Sequence, residues 1–565
     1  MRRDAKPISM NLYAWALLAI LSGALVAYLL GNGSVTLLDR DEPRYAQTSR
    51  QMLQSGDWVV PRFLDTVRTA KPVLIYWCQA TAMAVFGDNA FAARFPSAVA
   101  MVGTLAVLGL CVWREAGARR GIWTAFILAT SALTLGAAKM CLTDSVLLLW
   151  TIIGQCCIYR LWRQGISPLP VLMLGLSIGL SGLTKGPVSL GVHLMTIAAL
   201  ALLSWKKITP TAVRMDTPRP RNFMPGNVAL AISVVTAVVC AVTLPWIYLI
   251  EMRAPGFLTQ AIGHDVVQRI QTGHEGHSHP PGFYSLVVWA TWFPWSLLLP
   301  AALVTGWKFR HLPLTRFALA AWIGPWVMFE LISGKLPHYV LPTYPALAYL
   351  TADMLIRAAR GTIPDLSQRP FKVFVWIGAL GVAVLGSAPW VLIVIAQQYD
   401  ARSMLAATCF AVISVVGAVS VARYFNAGRV MSAARMMGVS AAAALVTFWA
   451  AFLPLYQPLR LSQRVADAIT DAGGYAQVGY MIDYKEPSLA FHAGGGLVEQ
   501  TQSDYLQTTP PDRWPTWIVL TERVWRTVPA DVQTKWHVVT RERGLAYNDQ
   551  TEPLTVLVIK NERTN

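Results

Sequence analysis

The sequence predicts an all-α polytopic membrane protein of about thirteen spanning helices with a small α/β domain at its C-terminal end. Three observations carry this. The 565 residues are 55% hydrophobic and only 14% charged, too apolar for a domain that faces water on all sides. Apolar runs of about 20 residues, the length a bilayer core demands, recur along most of the chain. Most of the lysines and arginines behind the net charge of +17 sit in short loops, gathered in alternate loops between those runs.

Taken in order, the first run, Asn11 to Gly31, follows Arg2, Arg3 and Lys6. It is longer than a signal-peptide core and no small-x-small cleavage site follows it, so it reads as a retained helix. Further spans are expected at Phe95 to Trp113, Gly121 to Ala138, Cys141 to Trp162, Pro170 to Thr184, Pro187 to Trp205 and Asn227 to Ile250. The series continues with Tyr284 to Trp307, Leu314 to Ser333, His338 to Ile356, Phe371 to Gln397, Ser403 to Ala422 and Ala433 to Leu455. Val73 to Phe86 is apolar but too short to cross, and is expected to lie at the interface or re-enter.

With the N-terminus inside, the basic clusters Arg114/Arg119/Arg120, Arg160/Arg163, Lys206 to Arg221, Lys308/Arg310, Arg357/Arg360/Arg369 and Arg423/Arg429/Arg435 all fall on the cytoplasmic side. A spanning Val73 to Phe86 would invert that agreement. Positive-inside topology accounts for the excess charge, which argues against nucleic acid as a partner. The seven cysteines all sit in or beside apolar runs, so no disulfide framework is expected.

The odd span count places the tail outside. The expected division is a membrane domain over 1–457, with outside loops at 32–94 and 251–282, and a soluble domain over 458–565. That domain reads as a helix, Leu461 to Ala472, followed by short strands such as Thr516 to Leu520 and Leu554 to Ile559.

The charged motifs are concentrated on the outer face. The first loop holds Asp39-Arg40-Asp41-Glu42-Pro43-Arg44-Tyr45, then Arg50, Arg62 and Lys71-Pro72. A solvated loop helix would also carry such a run. Charged residues pinned at the outer ends of spans favour function, because a charge there needs an arranged partner. These are Lys139, Asp144, Lys185 in Thr184-Lys185-Gly186, and Lys335 in Gly334-Lys335-Leu336-Pro337-His338-Tyr339. His264, Asp265 and Arg269 share that side, and one outward cavity is expected to collect the set.

The order Asp41-Glu42-x-Arg44-Tyr45, Lys71-Pro72, Leu142-Thr143-Asp144, Thr184-Lys185-Gly186, Gly334-Lys335-Leu336-Pro337-x-Tyr339 resembles the C-type membrane glycosyltransferases that use polyprenyl-phosphate sugars. Asp41 to Leu53 is similar, more narrowly, to the bacterial transferases that add aminoarabinose to lipid A. The resemblance spans the membrane part and fades in the tail. It implies juxtamembrane helices in the first loop and a periplasmic C-terminal domain in the bacterial inner membrane. It further implies undecaprenyl-phosphate-linked 4-amino-4-deoxy-L-arabinose as donor, a lipid A phosphate as acceptor, and resistance to cationic peptides such as polymyxin.

A lipid-linked donor also suits the topology, since nucleotide sugars are not supplied outside the cytoplasmic membrane. A polyprenyl phosphate leaving group needs cations where negative charge grows. Arg44 and Lys71 are the first candidates, then Arg269 and Lys335. Tyr339 either bonds the same phosphate or belongs to an interfacial aromatic belt. Lys185 either contacts substrate or snorkels at a helix end. Asp41 is the carboxylate expected nearest the anomeric carbon, with Glu42 and Tyr45 supporting the loop.

Asp41 has three open roles: base, stabiliser of an oxocarbenium-like transition state, or partner of a sugar ammonium. An acceptor phosphate is already ionised, which ranks electrostatics above base catalysis. Asp144 either holds the sugar or simply pairs with Lys139 or caps its turn. With no second carboxylate placed for a covalent intermediate, transfer is expected to invert the anomeric centre.

No cofactor is expected for that displacement. His274, His277 and His279 form a His-x-x-His-x-His spacing that suits a structural zinc, or a plain loop. A monomer is expected. Two other functions compete: the same donor with a protein acceptor, and a lipid-linked sugar flippase, whose charges should line a path through the membrane rather than cluster on one face.

Overall fold

The computed structural model describes residues 10–38, 41–205, 224–261, 263, 279–363, 369–474, 478–502, 504–546 and 550–561. Ten helices in the first half are α1 (Met10–Leu29), α2 (Asp41–Ser55), α3 (Leu74–Phe86), α4 (Ala90–Ala116), α5 (Ala118–Ala129), α6 (Ala132–Lys139), α7 (Asp144–Gln164), α8 (Pro168–Lys185), α9 (Val188–Trp205) and α10 (Pro225–Arg253). Among the described residues nine helices are long and apolar enough to cross a membrane, and up to 11 spans result if each bent pair counts as one. The bent pairs are α5–α6, at 64°, and Phe283–Thr291 with Trp295–Lys308, at 118°. The two remaining expected spans coincide with the helices Pro313–Leu331 and Tyr344–Ala359. Charged residues within them, such as Arg316 and Glu330 in the first and Asp353 in the second, lower their apolar character. The 13-residue α3 is too short to cross.

Small residues let these helices approach closely, as packing in lipid requires. A Cβ on Gly121 of α5 would lie 2.4 Å from the carbonyl oxygen of Gly109 on α4. Gly324 of Pro313–Leu331 meets α9 so closely that a Cβ would fall 2.2 Å from the Met195 carbonyl oxygen. α4 and α5 are joined at Gly117, whose φ of 93° ends α4 in a region side chains avoid. At that end of the bundle Asp353 is buried between Arg120 at 2.7 Å and Arg357 at 2.6 Å.

The opposite end carries the first loop and the C-terminal domain. α2 is polar in sequence yet mostly buried, because both faces are covered. Its start is fixed by Glu42, whose side chain is wholly buried with that of Arg94 at the start of α4. Glu42 accepts from Arg94 Nε at 2.9 Å and Nη2 at 2.8 Å, from the Leu38 amide at 2.7 Å and from the Cys141 amide at 2.8 Å. Arg94 also donates to the carbonyls of Asn32, Val35 and Thr36 at 2.8, 2.7 and 2.9 Å. One ion pair thus ties the exits of α1 and α6 to the entries of α2 and α4.

A short hairpin, β1 (Arg62–Phe63) with β2 (Thr66–Val67), follows α2. The C-terminal domain begins at the helix Leu461–Asp471 and builds a sheet from β3 (Gly479–Ile482), β4 (Leu497–Glu499), β5 (Trp517–Thr521), β6 (Trp536–Ala546) and β7 (Gln550–Asn561). The order is β4-β3-β5-β7-β6, parallel among the first three and antiparallel beyond. Side chains alternate across it: Trp517 and Val519 face the helix Leu461–Asp471, while Ile518 and Leu520 pack with Trp514, Trp525 and Trp536.

The domain is seated on the first loop. Leu64 of the hairpin enters its core. Arg50 of α2 donates to the Phe491 carbonyl at 2.5 Å, lies 3.9 Å over the Phe491 ring, and pairs with Asp88 at 2.6 Å. Thr36 Oγ1 and His492 Nε2 share a hydrogen bond of 2.9 Å. Burial, then the Arg50, Arg460 and Arg94 cations, push His492 down to about 4, so the imidazole is neutral in that contact at pH 7.

Two variants test these constraints. Glu42→Ala leaves Arg94 buried without its counter-charge and should cost about 3–5 kcal/mol, read as a large drop in the melting midpoint in detergent; a wild-type midpoint would refute the role given to the pair. Gly324→Val should cost about 1–3 kcal/mol by overpacking against the α9 backbone, whereas Gly226→Val, at a position with open space around it, should leave the midpoint unchanged.

Candidate active site

The elements fixed by Glu42 and Arg94 bring two carboxylates to one cleft. Asp41 opens α2, where the helix dipole favours a negative charge. Its side chain is 43% exposed and lies 3.6 Å from Arg68 Nη2. Arg68 donates from Nε to the Tyr76 hydroxyl at 3.0 Å and stands 5.1 Å over the Tyr45 ring. Tyr45 and Tyr76 pack with ring centroids 5.7 Å apart. Burial and then the Asp41 carboxylate push the Tyr45 phenol well above its ordinary range, so it stays a neutral hydrogen-bond donor.

Asp144 is the first residue of α7, again at the positive end of a helix dipole. It pairs with Lys185 at 2.8 Å, and His338 Nε2 lies 3.8 Å from its other oxygen. Lys185 is the last residue of α8, where the dipole favours a cation, and Gly186 at φ 63° ends that helix. Its ammonium sits 4.6 Å from the centroid of the Tyr339 ring. Leu336-Pro337 places His338 and Tyr339 on a short 3-10 turn, with proline at its first position.

Asp41 and Lys71 join this group. His338 feels the fields of Asp144, Lys185, Asp41 and Lys71 together, and Lys71 also acts on Asp144. Lys71 Nζ donates to the Ala70 carbonyl at 2.9 Å. The cleft therefore sets Asp41 and Asp144 against Arg68, Lys71 and Lys185, an excess of positive charge. Cations beside it can hold a phosphate while a carboxylate faces developing positive charge on a sugar.

The structure redirects several expected residues. Arg44 does not join the cleft: it lines a crevice at the C-terminal domain, where Glu499 is its electrostatic partner. Lys335 is 1% exposed and donates to the His279 carbonyl at 2.7 Å, which ties the 334–336 segment to the approach to the earlier helix Phe283–Thr291. Lys139 does not pair with Asp144. It caps the end of α1 through the Leu30 carbonyl at 2.6 Å and lies 5.6 Å from the Trp449 ring.

His264, Asp265, Arg269, His274, Glu275 and His277 lie outside the described residues. His279 is described and stacks on Phe283 at 4.4 Å. Among the described residues no three His, Cys, Asp or Glu gather as a metal site.

Three participants, Arg68, Tyr76 and Arg94, have no counterpart among the residues singled out from the sequence, and His338 appears there only as the variable position of its motif, without a role. Arg68 stands three residues before Lys71, and Arg94 abuts the apolar run that starts at Phe95, so position alone was a signal for both.

With this geometry in hand, the likenesses to known proteins are specific. The family described as dolichyl-phosphate-mannose-protein mannosyltransferase matches residues 13–260. The undecaprenyl phosphate-alpha-4-amino-4-deoxy-L-arabinose arabinosyl transferase of Serratia proteamaculans is 30% identical over 403 residues, 68% of each chain. The protein of that name from Yersinia enterocolitica is 31% identical over 421 residues, 71% of each. The crystal structure of ArnT from Cupriavidus metallidurans bound to undecaprenyl phosphate is 19% identical and superposes with a TM-score of 0.72, covering 96% of this chain and 98% of that one. It shares the fold, helical bundle and outer domain together. The chain is thus a multi-pass membrane glycosyltransferase and belongs to the undecaprenyl phosphate-aminoarabinose arabinosyl transferase family.

Proposed function

We propose that the chain moves 4-amino-4-deoxy-L-arabinose from undecaprenyl phosphate to a phosphate of lipid A, on the periplasmic face of the bacterial inner membrane. The names of its relatives support the donor and the sugar. The observation that carries the reading is the cleft itself, in which Asp41 and Asp144 face Arg68, Lys71 and Lys185 at the loop end of the bundle.

The chemistry follows from the charges. An acceptor phosphate oxygen attacks the anomeric carbon as the bond to the undecaprenyl phosphate oxygen breaks. The electron pair leaves with the polyprenyl phosphate. Lys71 and Arg68 offset the charge that grows there, and Tyr339, whose ring faces the Lys185 ammonium, adds a hydrogen-bond donor. The acceptor oxygen is already ionised, so no proton has to move, and the step balances without any further group. Asp41 acts electrostatically, stabilising positive charge on the ring carbon. Direct displacement inverts that centre.

Asp144, held by Lys185, is a fixed acceptor for the sugar's polar groups. The product carries a new ammonium on lipid A, which weakens binding of cationic peptides such as polymyxin.

A protein hydroxyl as acceptor is the second reading, favoured by the mannosyltransferase match over residues 13–260. It would require Asp41 to act as a base.

Mass spectrometry of lipid A from cells with and without the protein decides the acceptor: an added pentosamine is expected, and unchanged lipid A beside a newly glycosylated protein would refute the proposal. Asp41→Asn should lower kcat about 10²- to 10³-fold, as loss of one electrostatic stabiliser does, with the pH dependence of the residual rate unchanged; recovery at raised pH would instead mark Asp41 as a base. Lys71→Ala should lower kcat and weaken donor binding together, and an effect on the acceptor alone would exclude its phosphate role.

A further inference from the structure

The crevice that takes Arg44 lies outside the catalytic cleft and has the features of a built site. It encloses about 600 Å³ at the carboxyl ends of β3, β4 and β5, where parallel strands characteristically present ligand sites. Asp483, Glu499 and Thr521 stand at those three strand ends, and Lys485, Glu486, Glu522, Arg523 and Arg526 are the other charged residues of the lining besides Arg44. As many acids as bases surround the space. A bare polyanion would gain little from such a balance. A phosphorylated saccharide fits it: carboxylates accept from vicinal hydroxyls while arginine and lysine donate to ring, hydroxyl and phosphate oxygens.

Two further observations point the same way. Asp483 is held at φ 64°, a conformation costly for a residue with a side chain, and its carboxylate is fixed by Thr521 Oγ1 and by Arg523, the latter at 2.8 Å. Glu499 is drawn into the wall, where burial pushes its carboxyl above its ordinary range and Arg44, then Lys485, pull it back.

The crevice is also adjacent to the chemistry. Asp41 and Arg44 occupy the first turn of α2, three positions apart and so about 5–6 Å between Cβ atoms. Asp41 belongs to the cleft and Arg44 to the crevice. The spacing is held, because Leu64 and Arg50 anchor the domain to the same loop. A headgroup whose phosphate reaches Asp41 extends past Arg44 into the crevice.

We propose that this crevice is the subsite for the phosphorylated saccharide headgroup of the lipid acceptor. The assignment rests on the reading that lipid A is that acceptor. Transfer by the wild-type chain in detergent tests that reading. Comparison of Lys485→Gln and Arg523→Gln with wild type tests the subsite. Each variant should raise the apparent KM for lipid A about fivefold to tenfold, the loss expected for one charge-assisted hydrogen bond, with donor KM and kcat within about twofold of wild type. Unchanged acceptor KM in both variants, or an equal rise in donor KM, would overturn the proposal. Both side chains reach solvent, so melting midpoints should match wild type.

A second measurement uses the native chain. The deacylated phosphorylated disaccharide of lipid A should inhibit competitively against lipid A and not against donor, and inhibition competitive with donor, or none, would count against the subsite.

Discussion

The pairing of Glu42 with Arg94 is the constraint on which the active end of this transferase depends. Both side chains are removed from water, and an unpaired charge there would be far costlier than the pair. The pair survives because almost every hydrogen-bonding position is used: the carboxylate takes two amides as well as the guanidinium, and the guanidinium takes three carbonyls. Those backbone groups belong to the exit of α1, the loop before α2 and the turn between α6 and α7. Asp41 precedes Glu42 by one residue, and Asp144 follows Cys141 by three. One buried ion pair therefore sets the separation of the two carboxylates Asp41 and Asp144.

Those carboxylates are then given different surroundings. Asp41 is half open, with Arg68 near enough to attract but not to lock it. Asp144 is enclosed, with Lys185 in direct contact. Helix ends contribute to both: each acid sits at a helix start and Lys185 at a helix finish, so the peptide dipoles hold each charge in place. An acid free to respond suits a centre where charge changes during reaction, and one locked in a pair suits a group that only positions.

Much of this was legible in the sequence, and its failures have a common cause. The spans could be read because bilayer thickness fixes their length, and the order of short motifs located Asp41, Lys71, Asp144, Lys185 and Tyr339. Lys139 and Lys335 could be recognised as charges in need of partners. Their partners are backbone carbonyls, which leave no mark in a sequence. Arg44 was misplaced by helix phase: it lies about 100° round α2 from Tyr45, enough to carry it from the cleft to the crevice, and no pattern of apolar residues reported that phase. Arg68, beside Asp41 where Arg44 was expected, follows directly on a two-residue strand too short to show alternation. β3 and β4, with 4 and 3 residues, escaped for the same reason.

The outer domain has a structural reason to be present as well as a proposed binding role. α2 has 15 residues and a polar composition, so neither lipid nor its own propensity would keep it helical in place. Its buried face needs cover from protein. Ala46 and Phe491 share one core cluster, Arg50 stacks on that same ring, and Thr36 is held by a neutral His492. The domain thereby forms the wall against which α2 rests. A bundle of spanning helices can align Asp144 and Lys185 from within the membrane, but Asp41 sits on a helix outside it, and only a folded body on the same side can hold that helix against them.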